Sequence, residues 1–177
     1  MKKISYIALT LLVLISFWNC EKDDLCAEST PTTPRVVVEF YDITAPTELK
    51  SVTDLVVQET VTGNKLVANE SLEEDDDTRY LFNTSKIYLP LRTTVDESIF
   101  NLTLNKDAVD EASDVLTFQY TRNEIYISRA CGYKTNFEIT NATGLISSGL
   151  PANWIQAINV ENTSIDNETE VHVKIFF

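Results

Sequence analysis

"DVLTFQYTRNEIYIS", residues 114–128, is the stretch that indicates the fold most directly. Apolar and polar residues alternate in its first half, so Leu116, Phe118 and Tyr120 share one side of an extended strand. The polar run "TRNE", residues 121–124, then predicts a tight connection into a second strand, "EIYIS". The stretch is therefore typical of an antiparallel hairpin that packs one face against a core.

Similar β-branched and aromatic runs recur along the chain. Their spacing, the Asp, Asn, Thr and Pro residues between them, and the lack of a long helical stripe predict antiparallel strands. We therefore expect an all-β fold over residues 35–177, a single antiparallel β-sandwich of about nine strands that is immunoglobulin-like or related. Residues 68–85 are predicted to form a long acidic loop. The runs begin at residues 35, 54, 85, 98, 114, 124, 135, 154 and 171.

Length and charge narrow the class of protein. The chain has 177 residues, 44% of them hydrophobic, which suits one domain with a sizeable core. It has 14 Lys and Arg against 27 Asp and Glu; without Lys2 and Lys3, 12 cations oppose 27 acids, a formal charge of −15. Such a domain repels phosphate backbones, so we predict no nucleic-acid partner.

Residues 1–19 are typical of a signal peptide, because Lys2 and Lys3 precede an apolar run too short to span a bilayer. The run stops at Cys20, which cleavage would make the amino-terminal residue and the site of lipid attachment. Residues 20–34, which include the polar, proline-containing "AESTPTTP", would then form a tether. A membrane-anchor helix, and ordinary secretion with a later cut, are the alternatives.

The start of the mature chain carries a family resemblance. "CEKDD", followed by "LCAESTPTTPR", resembles the start of small lipoproteins from Bacteroidota, in which a cysteine followed by a lysine and two acidic residues directs export to the outer face of the outer membrane. The matching residues are Cys20, Lys22, Asp23 and Asp24. The chain departs from bacterial lipoprotein signals just before the cysteine, where "FWN" replaces small residues.

The resemblance extends into the folded region. "TPRVVVEFYD", "IYLPL", "ISRACGY" and the ending "INVENTSIDNETEVHVKIFF" are similar to an uncharacterised flavobacterial lipoprotein family, known only as a domain of unknown function. The resemblance implies a protein that is lipid-anchored to the outer membrane and faces the cell exterior. It implies no enzymatic activity.

Two cysteines are left once Cys20 carries lipid. In an oxidising compartment Cys26 and Cys131 allow one pairing, so we predict a disulfide between the tether and "RACGY"; the alternative is two unrelated thiols. Five residues separate Cys20 from Cys26, and that length of chain reaches about 20 Å at most. The disulfide would therefore hold the domain close to the membrane.

Candidate sites in the folded region are few. The acidic residues 73–77 lack the spacing of a calcium loop, in which ligands stand at alternate positions. This favours a solvated acidic loop. We therefore predict no metal and no cofactor. His172, the only histidine, is predicted to be a surface or satisfied strand histidine, so no catalytic residue is assigned. Trp154 is a candidate platform for a glycan ligand, with core packing as the alternative.

These observations predict a surface-exposed outer-membrane lipoprotein, not an enzyme, that acts as a binding or structural module of the cell envelope. Its expected partners are the membrane, through the lipid anchor, and an envelope protein or a glycan. Two alternatives stay open. One is a small envelope hydrolase with a carboxylate pair, and the other is a periplasm-facing assembly factor that offers a strand edge to a partner.

Overall fold

The computed structural model describes residues 25–27, 29–30, 32–146 and 154–177. The predicted signal peptide, Cys20 and the export residues Lys22, Asp23 and Asp24 lie outside the described residues. Within the described residues the all-β prediction is confirmed, with ten strands and one short 3-10 helix, Asp77–Tyr80. The strands are β1 (Val36–Asp42), β2 (Ala45–Leu49), β3 (Val56–Glu59), β4 (Lys86–Leu89), β5 (Glu97–Leu104), β6 (Ala112–Ser128), β7 (Gly132–Ile146), β8 (Ala157–Val160), β9 (Ser164–Ile165) and β10 (Val173–Phe176).

The strands form two open sheets. The first has the order β2-β1-β10-β8, with β4 also paired to β1, and the second has the order β3-β5-β6-β7-β9. The predicted antiparallel sandwich is confirmed except at one pair, since β1 and β10 are parallel from Val38↔Val173 to Tyr41↔Phe176. These two strands lie near opposite ends of the chain, so no tight turn forces them to run in opposite directions.

Alternation gives each sheet an apolar inner face. Leu116 and Phe118 of β6 are fully buried and Tyr120 is nearly so, as the sequence predicted. In β1, Val36 and Phe40 are buried in the same core cluster. The two inner faces together form one hydrophobic core, as in a β-sandwich. Among the described residues no helix has the length and apolar character needed to cross a membrane.

The predicted turn at "TRNE" is wrong. Residues 121–124 are extended and belong to β6, which runs without interruption from Ala112 to Ser128. The chain reverses after Ser128, and Gly132 begins β7 with a φ of +69°, a conformation that glycine adopts at low cost. Polar composition alone suggested a turn at 121–124, but that run contains neither glycine nor proline.

The chain divides into two compact units. The larger unit contains residues 33–124 and 135–177 and includes most of both sheets. The smaller unit joins residues 125–134, around the β6–β7 reversal, to the chain before residue 33. Within the smaller unit the Sγ atoms of Cys26 and Cys131 lie 2.10 Å apart and their Cα atoms 4.9 Å apart. The predicted cysteine pair is therefore at disulfide-bonding distance.

The acidic loop predicted between β3 and β4 is present and contains the 3-10 helix. Asp76 caps that helix, because its carboxylate accepts the Thr78 backbone N–H at 2.9 Å and the Thr78 hydroxyl at 2.6 Å. The guanidinium of Arg79 donates to the carbonyl oxygens of Leu72 and Glu70. These contacts give the loop a defined conformation beside the sheets.

Candidate functional site

Two neighbouring clefts in the larger unit share Val67 as part of their lining. The first cleft has a volume of about 420 Å³ and is lined mainly by the loop after β3. The second cleft has a volume of about 430 Å³ and is lined by that loop together with residues at the start of β1 and around β4. Volumes of this order match sites for small ligands. Val67 itself is 39% exposed.

The first cleft combines a tyrosine ring with cationic groups. The Lys65 ammonium lies 5.4 Å from the centre of the Tyr80 ring, and it is 4.0 Å from a carboxylate oxygen of Asp77. Arg79 and Glu74 also line this cleft. The loop folds in this way because the guanidinium of Arg79 binds backbone carbonyls of residues that precede it, which closes the loop on itself.

The second cleft repeats this chemistry with different residues. The Arg35 guanidinium lies 4.8 Å above the Tyr88 ring, and Glu70 supplies a carboxylate. Glu168 fixes Arg35, since its carboxylate accepts from Nε at 2.8 Å and from Nη2 at 2.7 Å. This hydrogen-bonded pair raises the pKa of Arg35 and lowers the pKa of Glu168. The cation over Tyr88 is therefore held in place before any ligand arrives.

The clefts offer contacts for binding. Each presents an apolar surface at Val67, an aromatic ring next to a cation, and one carboxylate, Glu74 in the first and Glu70 in the second. Such a mixture suits ligands that have apolar faces and hydroxyl or amide groups. Hydrolysis by a carboxylate pair instead needs two carboxyl groups that face one substrate bond.

Another groove contains two carboxylates. Asp96 and Glu124 line it together with Thr121 and Arg122, and its volume is about 340 Å³. Arg122 Nε donates to Asp96 at 2.6 Å, and an Arg122 terminal nitrogen donates to the Thr93 carbonyl at 2.6 Å. Because Asp96 is already ion-paired with Arg122, the carboxylates of this groove do not resemble a general acid poised beside a nucleophile.

A polar network connects β1 to β4 beside the second cleft. Glu39, only 8% exposed, accepts from Lys86 Nζ at 2.8 Å and from the Tyr41 hydroxyl at 2.8 Å. Burial and the neighbouring carboxylate raise the pKa of Tyr41 to about 12. Burial pushes the pKa of Glu39 upward, but the hydrogen bonds from Lys86 and Tyr41 outweigh it and the pKa is lowered. Since Glu39 and Lys86 are partners in the strand register, the network stabilises this pairing.

Trp154 does not form an exposed platform, so that hypothesis is wrong. It is 7% exposed, its indole N–H donates to the Leu102 carbonyl at 3.1 Å, and its ring packs edge-on against Phe177 at 5.3 Å. Core packing, the stated alternative, is what the structure shows. Tyr80 and Tyr88 are the rings that line clefts, and the sequence analysis did not identify them as ligand contacts.

His172 is fully buried, so the surface alternative is wrong. Its Nδ1 accepts the Val37 backbone N–H at 2.9 Å, while Nε2 has no hydrogen-bond partner among the described residues. Burial lowers the pKa of the imidazole, although Glu170, Asp166 and Glu168 act in the opposite direction. One of its two ring nitrogens is therefore satisfied, and the side chain helps to hold β1 beside the segment that leads into β10.

Within residues 25–27, 29–30, 32–146 and 154–177, no group of three or more His, Cys, Asp and Glu residues is placed to hold a metal ion. The acidic residues 73–77 of the loop are instead involved in helix capping through Asp76 and in a long ion pair through Asp77.

Comparison with known proteins identifies a family. Residues 55–177, more than half of the chain, match the family of unknown function DUF6452. No curated protein and no solved structure matches the chain. The matched region contains the whole of the first cleft and all of the second except Arg35. The chain belongs to the family of unknown function DUF6452.

Proposed function

We propose that this protein is an outer-membrane lipoprotein, exposed at the cell surface, that acts as a non-catalytic binding module of the cell envelope. The observation that carries the proposal is the Cys26–Cys131 pair at disulfide distance. Disulfides persist in oxidising compartments, so the pair supports export from the cytoplasm. Cys26 lies six positions after Cys20, the proposed lipid attachment site. The lipid on Cys20 would be the contact with the membrane.

The resemblance of "CEKDD" to Bacteroidota lipoproteins supports the finer assignment. In those proteins a lysine and two acidic residues after the cysteine direct the chain outward, and Lys22, Asp23 and Asp24 occupy these positions here. The strongly acidic mature chain disfavours nucleic acid as a ligand. The proposed partners are accordingly a glycan or a protein of the envelope.

The two clefts around Val67 support binding as the role of the folded domain. They lie side by side, each with a tyrosine ring next to a cation, and together they could contact successive units of an extended ligand. Of the two partner classes, a glycan fits this geometry better, since sugar rings present apolar faces to aromatic residues and hydroxyl groups to charged ones.

The proposed localisation at the cell surface is tested in cells of the native host. Replacing Lys22, Asp23 and Asp24 together with alanine should leave the protein acylated but protected from protease that is added to intact cells. Continued cleavage of this variant at the surface would contradict the export role of these residues. Cys20→Ala tests the earlier step, because its mature form should lack the acyl mass in mass spectrometry.

The binding role is tested with a matched pair of variants. Val67 lines both clefts, whereas Val61 is 60% exposed and is not among the residues that line either one. In an interferometry assay, Val67→Lys should weaken binding to glycans purified from the native envelope by about tenfold or more, because the lysine side chain would occupy space in both clefts and replace their apolar contact. Val61→Lys should bind like the wild type in the same assay. Equal binding by both variants would exclude the clefts.

A further inference from the structure

The smaller unit carries an exposed aromatic pair. Tyr126 on β6 and Tyr133 on β7 are 55% and 67% exposed, and their rings meet edge to face with centroids 5.3 Å apart. Two large aromatic rings that pack against each other while both remain exposed to solvent form a surface suited to contact with a partner. Neither residue lines the clefts around Val67.

The two segments of the smaller unit differ in charge, because residues 20–32 contain Glu21, Asp23, Asp24 and Glu28 against Lys22, whereas the hairpin segment is basic. Residues 125–134 contain Arg129 and Lys134 and no Asp or Glu, in a protein with 27 acidic residues against 14 Lys and Arg. Arg129 is exposed on the turn between the two tyrosines, and Lys134 directly follows Tyr133. Tyrosine rings and long cationic side chains on one hairpin are a combination found where proteins meet the headgroup region of a bilayer. Tyr133 and Lys134 leave opposite faces of β7, so the hairpin would meet the headgroups end-on.

The tether limits what this surface can reach. Leu25 is 86% exposed and directly precedes Cys26. The sulfur of Cys26 is at bonding distance from that of Cys131, which lies between Arg129 and Tyr133 in the sequence. Only five residues lie between Cys20 and Cys26, so a lipid on Cys20 would be within about 20 Å of this cysteine pair. The tyrosine pair would therefore be tied, through the disulfide, to the point where the proposed lipid attaches the chain to the membrane.

We propose that the end of the β6–β7 hairpin rests on the bilayer surface, with Tyr126, Tyr133 and Leu25 among the lipid headgroups and Arg129 and Lys134 against lipid phosphates. The inference rests on the proposed lipid anchor at Cys20. A bilayer is favoured over a soluble partner by the short tether and by the two cations of the hairpin, Arg129 and Lys134. The hairpin then acts as a second, non-covalent membrane contact beside the lipid.

The test uses the lipidated mature protein, which begins at Cys20, in vesicles of phosphatidylcholine and phosphatidylglycerol, with the phosphatidylcholine brominated on its acyl chains. Tyr133→Trp introduces an indole at the proposed contact, where Tyr133 is 67% exposed. Subtracting the wild-type emission removes the contribution of buried Trp154. Bromolipid should quench the added emission of Tyr133→Trp about twofold, as expected for an interfacial indole, relative to the same variant in vesicles without bromine.

Further variants separate the parts of the proposal. In the Tyr133→Trp background, Arg129→Glu with Lys134→Glu should reduce the quenching, and so should Cys26→Ser with Cys131→Ser. An acylated protein whose Tyr133→Trp indole is not quenched would overturn the hairpin contact and point to a soluble partner for the tyrosines, while the proposed lipoprotein function would stand. Absence of acyl mass on Cys20 would overturn both.

Discussion

Two aromatic pairs on β6 and β7 differ in one respect. Tyr120 and Phe137 meet edge to face at 5.2 Å, and Tyr126 and Tyr133 do so at 5.3 Å. Tyr120 and Phe137 are each 2% exposed, whereas Tyr126 and Tyr133 are mostly exposed. Ring geometry is thus nearly the same in both pairs, and the surroundings are not.

The difference shows what alternation can and cannot predict. Alternation decides which side of a strand a residue occupies, but burial depends on what lies opposite that side. Tyr120 and Phe137 belong to the core cluster of the sandwich, and the Tyr120 hydroxyl is satisfied there by the Ser98 side chain at 2.8 Å and the Arg92 carbonyl at 2.9 Å. Tyr126 and Tyr133 lie in the smaller unit, where the Cys26–Cys131 pair connects the β6–β7 hairpin to the chain before residue 33.

Removing that connection should have the largest effect on stability. Cys26 and Cys131 are 105 positions apart, and the chain-entropy treatment gives about 4 to 5 kcal/mol for a loop of this length. The double variant Cys26→Ser, Cys131→Ser should lose up to that amount of unfolding free energy in urea titrations. Wild type reduced with dithiothreitol is the matched control and should unfold like the double variant. A loss below about 1 kcal/mol would show that the link contributes little.

The two aromatic pairs should respond very differently to truncation. Phe137→Ala removes a buried ring and should cost about 3 to 5 kcal/mol of unfolding free energy, because it leaves a cavity in the core. Tyr133→Ala removes an exposed ring and should cost less than about 1 kcal/mol. Urea titrations of both variants with the disulfide intact test this comparison. Equal losses would mean that the exposed pair is as important to folding as the buried one.

Much of the fold was predictable, because it depends on patterns within single strands. The buried faces of β1 and β6 follow from alternation, and the Cys26–Cys131 pairing follows from elimination in an oxidising compartment. The continuity of β6 through residues 121–124 was not predictable from composition, because the run is polar and contains Asn and Thr, which can form local turns. Only the absence of glycine and proline from that run argued against a turn.

The clefts could not be predicted, because they join residues that are distant in sequence. Arg35 reaches Tyr88 since the register places Val36 and Val37 opposite Leu89 and Tyr88, and no local pattern specifies that register. The burial of Trp154 likewise depends on Phe40 and Phe177, which come from β1 and the end of the chain. For Glu39, its position within an apolar strand was a usable signal, because a carboxylate there needs a partner.

The smallest effect at neutral pH is expected from His172, and it extends the comparison of buried and exposed side chains to a titrating group. Burial lowers the pKa of His172 in the folded protein, whereas the unfolded chain should titrate near the ordinary value of about 6.5. Below that pH the unfolded state binds the proton first, so the free energy of unfolding should fall as the pH falls from about 6.5 to the folded-state pKa. Above it, the histidine contributes no pH dependence.

Comparing urea titrations of the wild type and His172→Asn between about pH 5 and pH 7.5 isolates this term, because the chain has no other histidine and its carboxylates titrate mainly at lower pH. Asparagine keeps an acceptor near the position of Nδ1 for the Val37 N–H, although it leaves some space unfilled. The variant can therefore be less stable at every pH and still be informative. The wild-type curve should slope downward toward acid by at most about 1.4 kcal/mol per pH unit more than the variant curve. Parallel curves would show that the imidazole is protonated in the folded protein as readily as in the unfolded chain. A fully buried ring whose Nε2 has no partner among the described residues should not allow this.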